Sequence, residues 1–365
     1  MINQFTYDDS LIEKEKMIKD LFKYDIEKIE TIVKCDNYFN YRHKVIATFG
    51  YDKSRKVISG IYEHGTHNLI NLNDCMIQSK VANSIIKDIT LLANKYRVPI
   101  YNEDKKTGIL RHVLVRVSEY TDEVLVSLVL GNSKFPSRKN FVKQVVKKHP
   151  EITTVTSTFN NRKTSVVLGD KVDVIYGPGF IYDSLNDYKF KISTTSFYQV
   201  NPKQTEKLYR LAIDNANLKQ DDILLDTYAG IGTIGMIASE KVKKVISVEL
   251  NRESFNNAIT SVRLNKINNI ELINQDASKY IVNAANNKEK IDVVIMDPTR
   301  NGSTIEFMNS LVDLQPRVIV YVSCDPKTQS RDLKYIKNVY KIKKIIPVDL
   351  FPYTKHIENI VILEK

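Results

Sequence analysis

The chain has 365 residues, with 54 lysine and arginine against 43 aspartate and glutamate, a formal net charge of +11. That length predicts two or three domains whose cores need no covalent staples, and the basic balance suits a polyanionic partner, because neutralising phosphates releases counterions. Cys35, Cys75 and Cys324 are too few and too scattered for a disulfide framework or a zinc pair, which predicts a reducing cytoplasm. No signal-peptide pattern or apolar run of about 18 residues marks a secreted or membrane-spanning chain.

From Leu11 to Lys34 charges mix with Leu21, Ile26, Ile29 and Ile32 at near-helical spacing, without Gly or Pro, which predicts a helical N-terminal segment over residues 1–34. A central α+β domain is expected over 35–185. There, short runs such as Lys44 to Phe49 and His112 to Val117 read as strands, and Ile77 to Lys95 as a helix. Over 186–365 the texture changes. Ile223 to Leu225, Val245 to Val248, Val293 to Met296 and Val318 to Val322 are apolar strands separated by helical stretches, the alternation of an α/β fold with a parallel sheet. Before the first of these, Asn201 reads as a helix N-cap followed by Pro202, with Gln204 completing a capping-box-like pattern.

The stretch Asp226-Thr227-Tyr228-Ala229-Gly230-Ile231-Gly232-Thr233-Ile234-Gly235 links the Ile223 strand to a helix, so its glycines let the backbone turn beside a ligand; such a turn is also ordinary packing chemistry. Roughly twenty residues on, Glu249 closes the next strand, where a carboxylate accepts hydrogen bonds from ribose hydroxyls. Asp276 follows the Glu271 strand, placed for an adenine edge. Acids at the successive strand ends, Asp226, Glu249 and Asp276, favour an adenosine ligand and leave NAD and S-adenosylmethionine both open.

The later strands separate the two. Asp297-Pro298-Thr299-Arg300-Asn301-Gly302 places a carboxylate and a stiff turn at the ligand-binding edge of the sheet, with Arg300 where an amino-group methyltransferase would carry an aromatic. Ser323-Cys324-Asp325-Pro326 puts a thiol at the same edge. Uracil C5 becomes a nucleophile once a thiolate adds to C6, after which a base must take the C5 proton. Glu358, just before the last strand (Asn359 to Leu363) and screened by Phe351 and Tyr353, is the expected base, and His356 a pocket wall.

With these residues in place, the chain resembles the RNA (uracil-C5-)-methyltransferase family that modifies 23S ribosomal RNA and the T-loop of tRNA. The resemblance is carried by Phe197-Tyr198-Gln199-Val200-Asn201, Asp226 to Thr233, Asp297 to Arg300, Ser323 to Pro326 and Phe351-Pro352 through His356 to Glu358. It continues upstream through Tyr41-Arg42-His43-Lys44 and Gly108-Ile109-Leu110-Arg111-His112. It implies a C-terminal Rossmann-like class I methyltransferase domain using S-adenosylmethionine, with Gln199, Tyr228, Gly230, Thr233, Glu249, Asp276 and Asp297 at the cofactor, Cys324 as nucleophile and Glu358 as proton acceptor. The implied substrate is RNA, 23S rRNA ahead of tRNA, taken as a flipped uridine by a cytoplasmic monomer without a membrane partner.

Departures from the family matter too. Many relatives begin with a TRAM-type β-barrel, for which the residues before Cys35 are too few and too helical. Many also hold an iron-sulfur cluster on four cysteines; Cys35 and Cys75 fall where two would lie, and two thiols cannot hold it, so neither a cluster nor another metal is expected. Thr299 replaces a second proline, and Asp325 replaces a common Asn and is expected to raise the Cys324 pKa slightly unless Arg300 offsets it. Tyr41, Arg42, Lys44, Arg111 and Arg116, together with Arg300, are the expected RNA contacts. The competing readings are an RNA-binding assembly or folding factor with dispensable methylation and a nicotinamide-dependent oxidoreductase; Cys324 paired with Glu358 counts against both.

Overall fold

The computed structural model describes residues 6–63, 65–72, 74–132, 134–162 and 166–365, and among them the chain forms two units. The larger comprises residues 6–38, 185–190 and 196–365, the smaller residues 39–184 and 191–195. The N-terminal segment is therefore not a domain of its own, as the sequence suggested, but part of the larger unit.

Helix α1 (Tyr7–Leu21) starts in a capping box, Thr6 and Asp9 exchanging side-chain-to-amide bonds of 3.2 and 2.9 Å. It buries Leu11, Lys14 and Ile18. The expected continuation to Lys34 does not occur. After a one-turn 3-10 helix at Ile26–Lys28 the backbone extends, and Ile29 and Val33 form parallel bridges to Ile345 and Val348. The apolar spacing of Ile26, Ile29 and Ile32 suits a helix, but the amides of Glu30 and Val33 find the carbonyls of Ile345 and Pro347, both at 2.8 Å. Sheet-like pairing thus outweighs a weak propensity signal.

The smaller unit is built on β1 (Lys44–Tyr51), β2 (Val57–Tyr62), β3 (Leu69–Asn71), helix α2 (Lys80–Lys95), β4 (Leu110–Val117), β5 (Val124–Leu130), α3 (Arg138–Lys148), β6 (Ile152–Phe159) and β7 (Val172–Tyr176). Its seven-stranded sheet runs β3-β2-β1-β4-β5-β6-β7 and is antiparallel except for β5 and β6, which α3 joins by a crossover. Ile85, Ile86, Ile89 and Leu92 of α2, with Phe141 and Val145 of α3, share one core with β1, β4 and β5. A two-stranded pair, β8 (Phe180–Leu185) and β9 (Tyr188–Ser193), follows.

The larger unit continues with α4 (Pro202–Asn215), β10 (Ile223–Thr227), α5 (Thr233–Ala238), β11 (Lys244–Val248), α6 (Arg252–Leu264), β12 (Ile270–Ile273), α7 (Ala277–Asn286), β13 (Val293–Met296), α8 (Ile305–Leu314), β14 (Val318–Ser323), α9 (Pro326–Leu333), β15 (Lys341–Val348) and β16 (Glu358–Glu364). Its seven strands are ordered β12-β11-β10-β13-β14-β16-β15, parallel from β12 to β14 and antiparallel at β16. This is the Rossmann-like α/β architecture expected from the sequence. The order reverses between β10 and β13, and ligands of such sheets bind at the carboxyl ends of the strands around that point.

Asp226, the penultimate residue of β10, is 1% exposed and accepts bonds from the Gly235 amide at 3.0 Å and the Ser247 hydroxyl at 3.2 Å. The sequence set it among the adenosine-facing acids; it is instead an internal clamp between β10, α5 and β11. A Cβ on Gly235 would stand 2.5 Å from Ser247 Oγ and 2.7 Å from Asp226 Oδ2. Gly235→Ala is expected to cost about 1–3 kcal/mol by overpacking, read as a lower urea midpoint at unchanged slope.

Candidate active site

The turn from β10 into α5 has left-handed backbone at Tyr228 (φ 61°), Gly230 (φ 59°) and Gly232 (φ 83°). For Tyr228 that conformation is strained and has to be held by its surroundings. The Ala229 amide donates to the Val248 carbonyl at 3.1 Å, and the Tyr228 hydroxyl pairs with Ser303 at 2.8 Å. The turn therefore presents the Gly230 amide to Glu249, whose Oε2 accepts it at 2.8 Å while Oε1 accepts the Asn251 amide at 2.5 Å. A carboxylate has about four acceptor positions, so Glu249 keeps capacity for a diol. Burial pushes its pKa up and the amide bonds pull it down. Beside it Leu250 is 66% exposed, an apolar surface next to that carboxylate. Asp276 is the N-cap of α7, one oxygen accepting from the Lys279 amide at 3.0 Å.

Asn201 caps α4 as expected, but Gln204 does not close a capping box; its amide donates to the Val33 and Lys34 carbonyls, both at 3.1 Å. The cap holds Gln199, 7% exposed, beside the hydroxyl of Tyr209 on α4, which also neighbours Thr233 at the first position of α5. Tyr209 is 3% exposed, and the charges of Asp297 and Glu358, after burial, push its phenol above its ordinary range. Sequence reasoning missed this residue because Thr205, Leu208, Tyr209, Ala212 and Ile213 form one buried helical stripe, in which a tyrosine reads as core.

The two groups that the sequence singles out as nucleophile and base, Cys324 and Glu358, lie at the ends of adjacent strands. Ser323 of β14 is paired with Asn359 of β16; Cys324 directly follows the first and Glu358 directly precedes the second, so thiol and carboxyl are register neighbours across an antiparallel pair. Glu358 is 2% exposed and its Oε2 has no hydrogen-bond partner among the described residues. Burial, then the charge of Asp297, pushes its pKa well up, and Arg300 opposes this. Asp297, one residue past β13, is pushed up to about 7 by burial and the nearby Asp226. Cys324 is half-buried and free. Burial, then Glu358 and Asp297, pushes its thiol up to about 12, against the charge and hydrogen bond of Arg300. The Asp325 side chain caps α9, accepting from the Lys327 amide at 3.0 Å. The turn carrying Asp297 and Arg300 is pinned from α9. Asp332, fully buried, accepts from the Ser303 amide at 2.8 Å, and Arg331 donates to the Asn301 carbonyl at 2.8 Å.

Of the expected RNA contacts in the smaller unit, Arg111 is withdrawn. It is 6% exposed, its guanidinium bonded to both Glu103 oxygens at 2.7 and 2.8 Å and to the carbonyls of Asn160 and Arg162. Tyr41 and Arg116 are also buried, at 4% and 2%. Arg42 and Lys44 keep partial exposure. Lys44 pairs with Arg116 across β1 and β4, and burial with Arg116 and Arg42 pushes its ammonium down to about 7.

Among the described residues no group of three or more His, Cys, Asp or Glu is arranged to hold a metal, and no helix is long and apolar enough to cross a membrane.

The sequence profile of the tRNA (Uracil-5-)-methyltransferase family matches residues 6–365. A protein of Bacillus cereus described as an uncharacterized RNA methyltransferase is 33% identical over 370 residues, covering 100% of this chain and 80% of the relative. One from Staphylococcus aureus, similarly described, is 33% identical over 98% of this chain and 80% of its own length. Among solved structures, the tRNA (uracil-54, C5)-methyltransferase of Pyrococcus abyssi in complex with S-adenosyl-L-homocysteine superposes with a TM-score of 0.81 at 25% identity, over 99% of this chain and 84% of that one.

Proposed function

The chain belongs to the tRNA (uracil-5-)-methyltransferase family and is an S-adenosylmethionine-dependent RNA (uracil-5-)-methyltransferase, and from that premise we propose that Cys324 is its nucleophile and Glu358 its proton acceptor. The observation that carries this reading is the register pairing that sets a half-buried thiol opposite a buried carboxyl group with an oxygen to spare.

The residues at the carboxyl edge suit the cofactor. Glu249 has acceptor capacity for the ribose, Asp276 and Leu250 flank it for the adenine, and Gln199, Tyr228, Gly230, Thr233 and Asp297 complete the set. S-adenosylmethionine supplies an electrophilic methyl group on a sulfonium. The Cys324 thiolate adds to uracil C6, forming an S–C6 bond and moving the C5=C6 electron pair onto C5. C5 takes the methyl group, and the methyl–sulfur bonding pair stays on sulfur. Glu358 then accepts the C5 proton, the C5–H pair restores the double bond, and the S–C6 bond breaks to return the thiolate. Arg300 favours the thiolate, whose formation burial and two carboxyl groups oppose.

Asp297, held near 7 by burial, is eased toward its ionised form by a cationic ligand. Affinity for S-adenosylmethionine is therefore expected to rise from about pH 6 to about pH 8 and then level off, with little slope in Asp297→Asn. Calorimetry across that range checks it; a flat wild-type profile contradicts the role given to Asp297.

The RNA is proposed to be 23S rRNA, the substrate that the sequence resemblance puts ahead of tRNA, with Arg42, Lys44 and Arg300 as phosphate contacts. Mass spectrometry of rRNA and tRNA from a deletion strain tests this: loss of 5-methyluridine from rRNA is expected, and loss from tRNA alone would make the T-loop uridine the substrate.

A further inference from the structure

We propose that the N-terminal segment is a positioning element for Glu358, acting through a buried ion pair between Lys14 and Asp349; this rests on the reading of Glu358 as proton acceptor. Residues 349–357 connect β15 to β16 and deliver Glu358 at the start of β16, opposite Val348. The head of this loop is held at successive groups by residues from elsewhere in the larger unit. The Asp349 amide donates to the Val33 carbonyl at 3.0 Å, Asn201 Nδ2 donates to the Leu350 carbonyl at 3.1 Å, and Lys14 Nζ donates to the Phe351 carbonyl at 3.0 Å. Lys14 Nζ also sits 2.6 Å from Asp349 Oδ1, with both side chains almost wholly buried, at 2% and 0% exposure. Further along, Tyr353, at φ 60°, meets Tyr7 of α1 at 5.9 Å and Tyr38 at 5.8 Å between ring centroids.

A buried pair of this kind is weak as a source of stability, because taking both charges out of water consumes most of what their attraction returns, and apolar replacements of similar volume are often neutral. What it supplies is direction. One ammonium bonds a side chain and a main-chain carbonyl two residues apart, which fixes the course of the backbone where it leaves β15. With the head of the loop fixed and Glu358 locked into the β14–β16 pairing, its carboxyl group is held beside Cys324 in a site that offers Oε2 no partner. The bonds of Lys14 are to Asp349 and to the Phe351 carbonyl, on the loop itself, so the pair acts through Glu358.

Addition of Cys324 to C6 does not need Glu358, whereas release of the adduct does. Loosening the loop is therefore expected to slow the second step selectively. The variants are Lys14→Met with Asp349→Leu together, which leaves no unpaired buried charge, and Lys14→Arg, which keeps a donor toward Asp349. Each is mixed with target RNA and S-adenosylmethionine in a single turnover, and both methylated product and denaturation-resistant protein–RNA adduct are measured, beside wild type and Glu358→Gln. In the double variant, product formation should fall at least tenfold and adduct accumulate, with cofactor affinity within twofold of wild type, while Lys14→Arg recovers most of the rate. Wild-type partitioning in the double variant, or a loss shared by cofactor binding and adduct formation, overturns the proposal. If Glu358→Gln itself accumulates no adduct, it is the reading of Glu358 that fails; if Glu358→Gln traps adduct and the double variant does not, only the role of the N-terminal segment fails.

Discussion

Cys324→Ala is expected to abolish methyl transfer to uracil while leaving S-adenosylmethionine affinity within about twofold of wild type. The effect should be this one-sided because the thiol stands at the end of β14, whereas the groups assigned to the adenosine, Glu249, Asp276 and Leu250, lie beyond β11 and β12 at the other end of the sheet. Without sulfur, C5 of uracil loses the proposed route to the electron density that attacks a methyl group. Isotope-labelled methyl incorporation into RNA, with calorimetry of the cofactor, separates the two quantities. Transfer that survives the substitution would mean that the reaction does not pass through Cys324. Loss of cofactor binding in parallel would mean that the thiol is a structural group whose removal disturbs the sheet edge.

Glu358→Gln is expected to lower turnover by about 10²–10⁴-fold, the usual range for losing a positioned acid or base, and to leave enzyme bound to RNA through Cys324. The same substitution has a second signature in the free protein. The Glu358 charge pushes the Cys324 thiol up, next in weight after burial; a neutral amide removes that repulsion, so the thiolate becomes easier to form. The pH midpoint for alkylation of Cys324 should therefore move down in Glu358→Gln. An unchanged midpoint would place the two groups too far apart to act on one base, whatever the kinetics show. Arg300→Ala should move the same midpoint the other way, because it removes a cation whose charge and hydrogen bond favour the thiolate.

The placement of Cys324, Asp297 and Glu249 at one edge of the sheet was legible before the structure because each follows a short apolar strand. Cys324 after Val318 to Val322, Asp297 after Val293 to Met296 and Glu249 after Val245 to Val248 are placed by a pattern in which a parallel sheet delivers strand ends to one side. The N-cap at Asn201 was legible for a similarly local reason, a polar residue followed by proline. What was not legible depends on contacts far apart in the chain. Lys14 and Asp349 are separated by 335 residues, and nothing in the charged face of α1 distinguishes the lysine that turns inward from those that do not. Gln204 has the right offset for a capping box, yet the carbonyls of Val33 and Lys34 compete for its amide and win. Asp226 looked like its neighbours at other strand ends, but Ser247 and the Gly235 amide draw it inside. Arg111 sits in a motif shared with RNA-modifying relatives, and only the structure shows Glu103 consuming its guanidinium.

In the proposed course, Cys324, Glu358 and Arg300 divide the labour of a difficult proton transfer. A buried carboxyl group whose charge is disfavoured is a stronger base once it is ionised, and the same burial makes the neighbouring thiol reluctant to ionise. The cost of one is the use of the other, and Arg300 at the exposed rim is the group that balances them.

That Cys324 forms a bond to uracil which only loss of the C5 proton releases is tested most directly with target RNA carrying 5-fluorouridine at the modified position. Fluorine at C5 cannot leave as a proton, so the wild-type enzyme with S-adenosylmethionine should stop as a covalent complex. Mass spectrometry of its peptides should find the mass of a methylated fluorouridine nucleotide on the peptide that contains Cys324. Attachment to any other residue, or methylated RNA released with no adduct formed, would rule out covalent catalysis by Cys324.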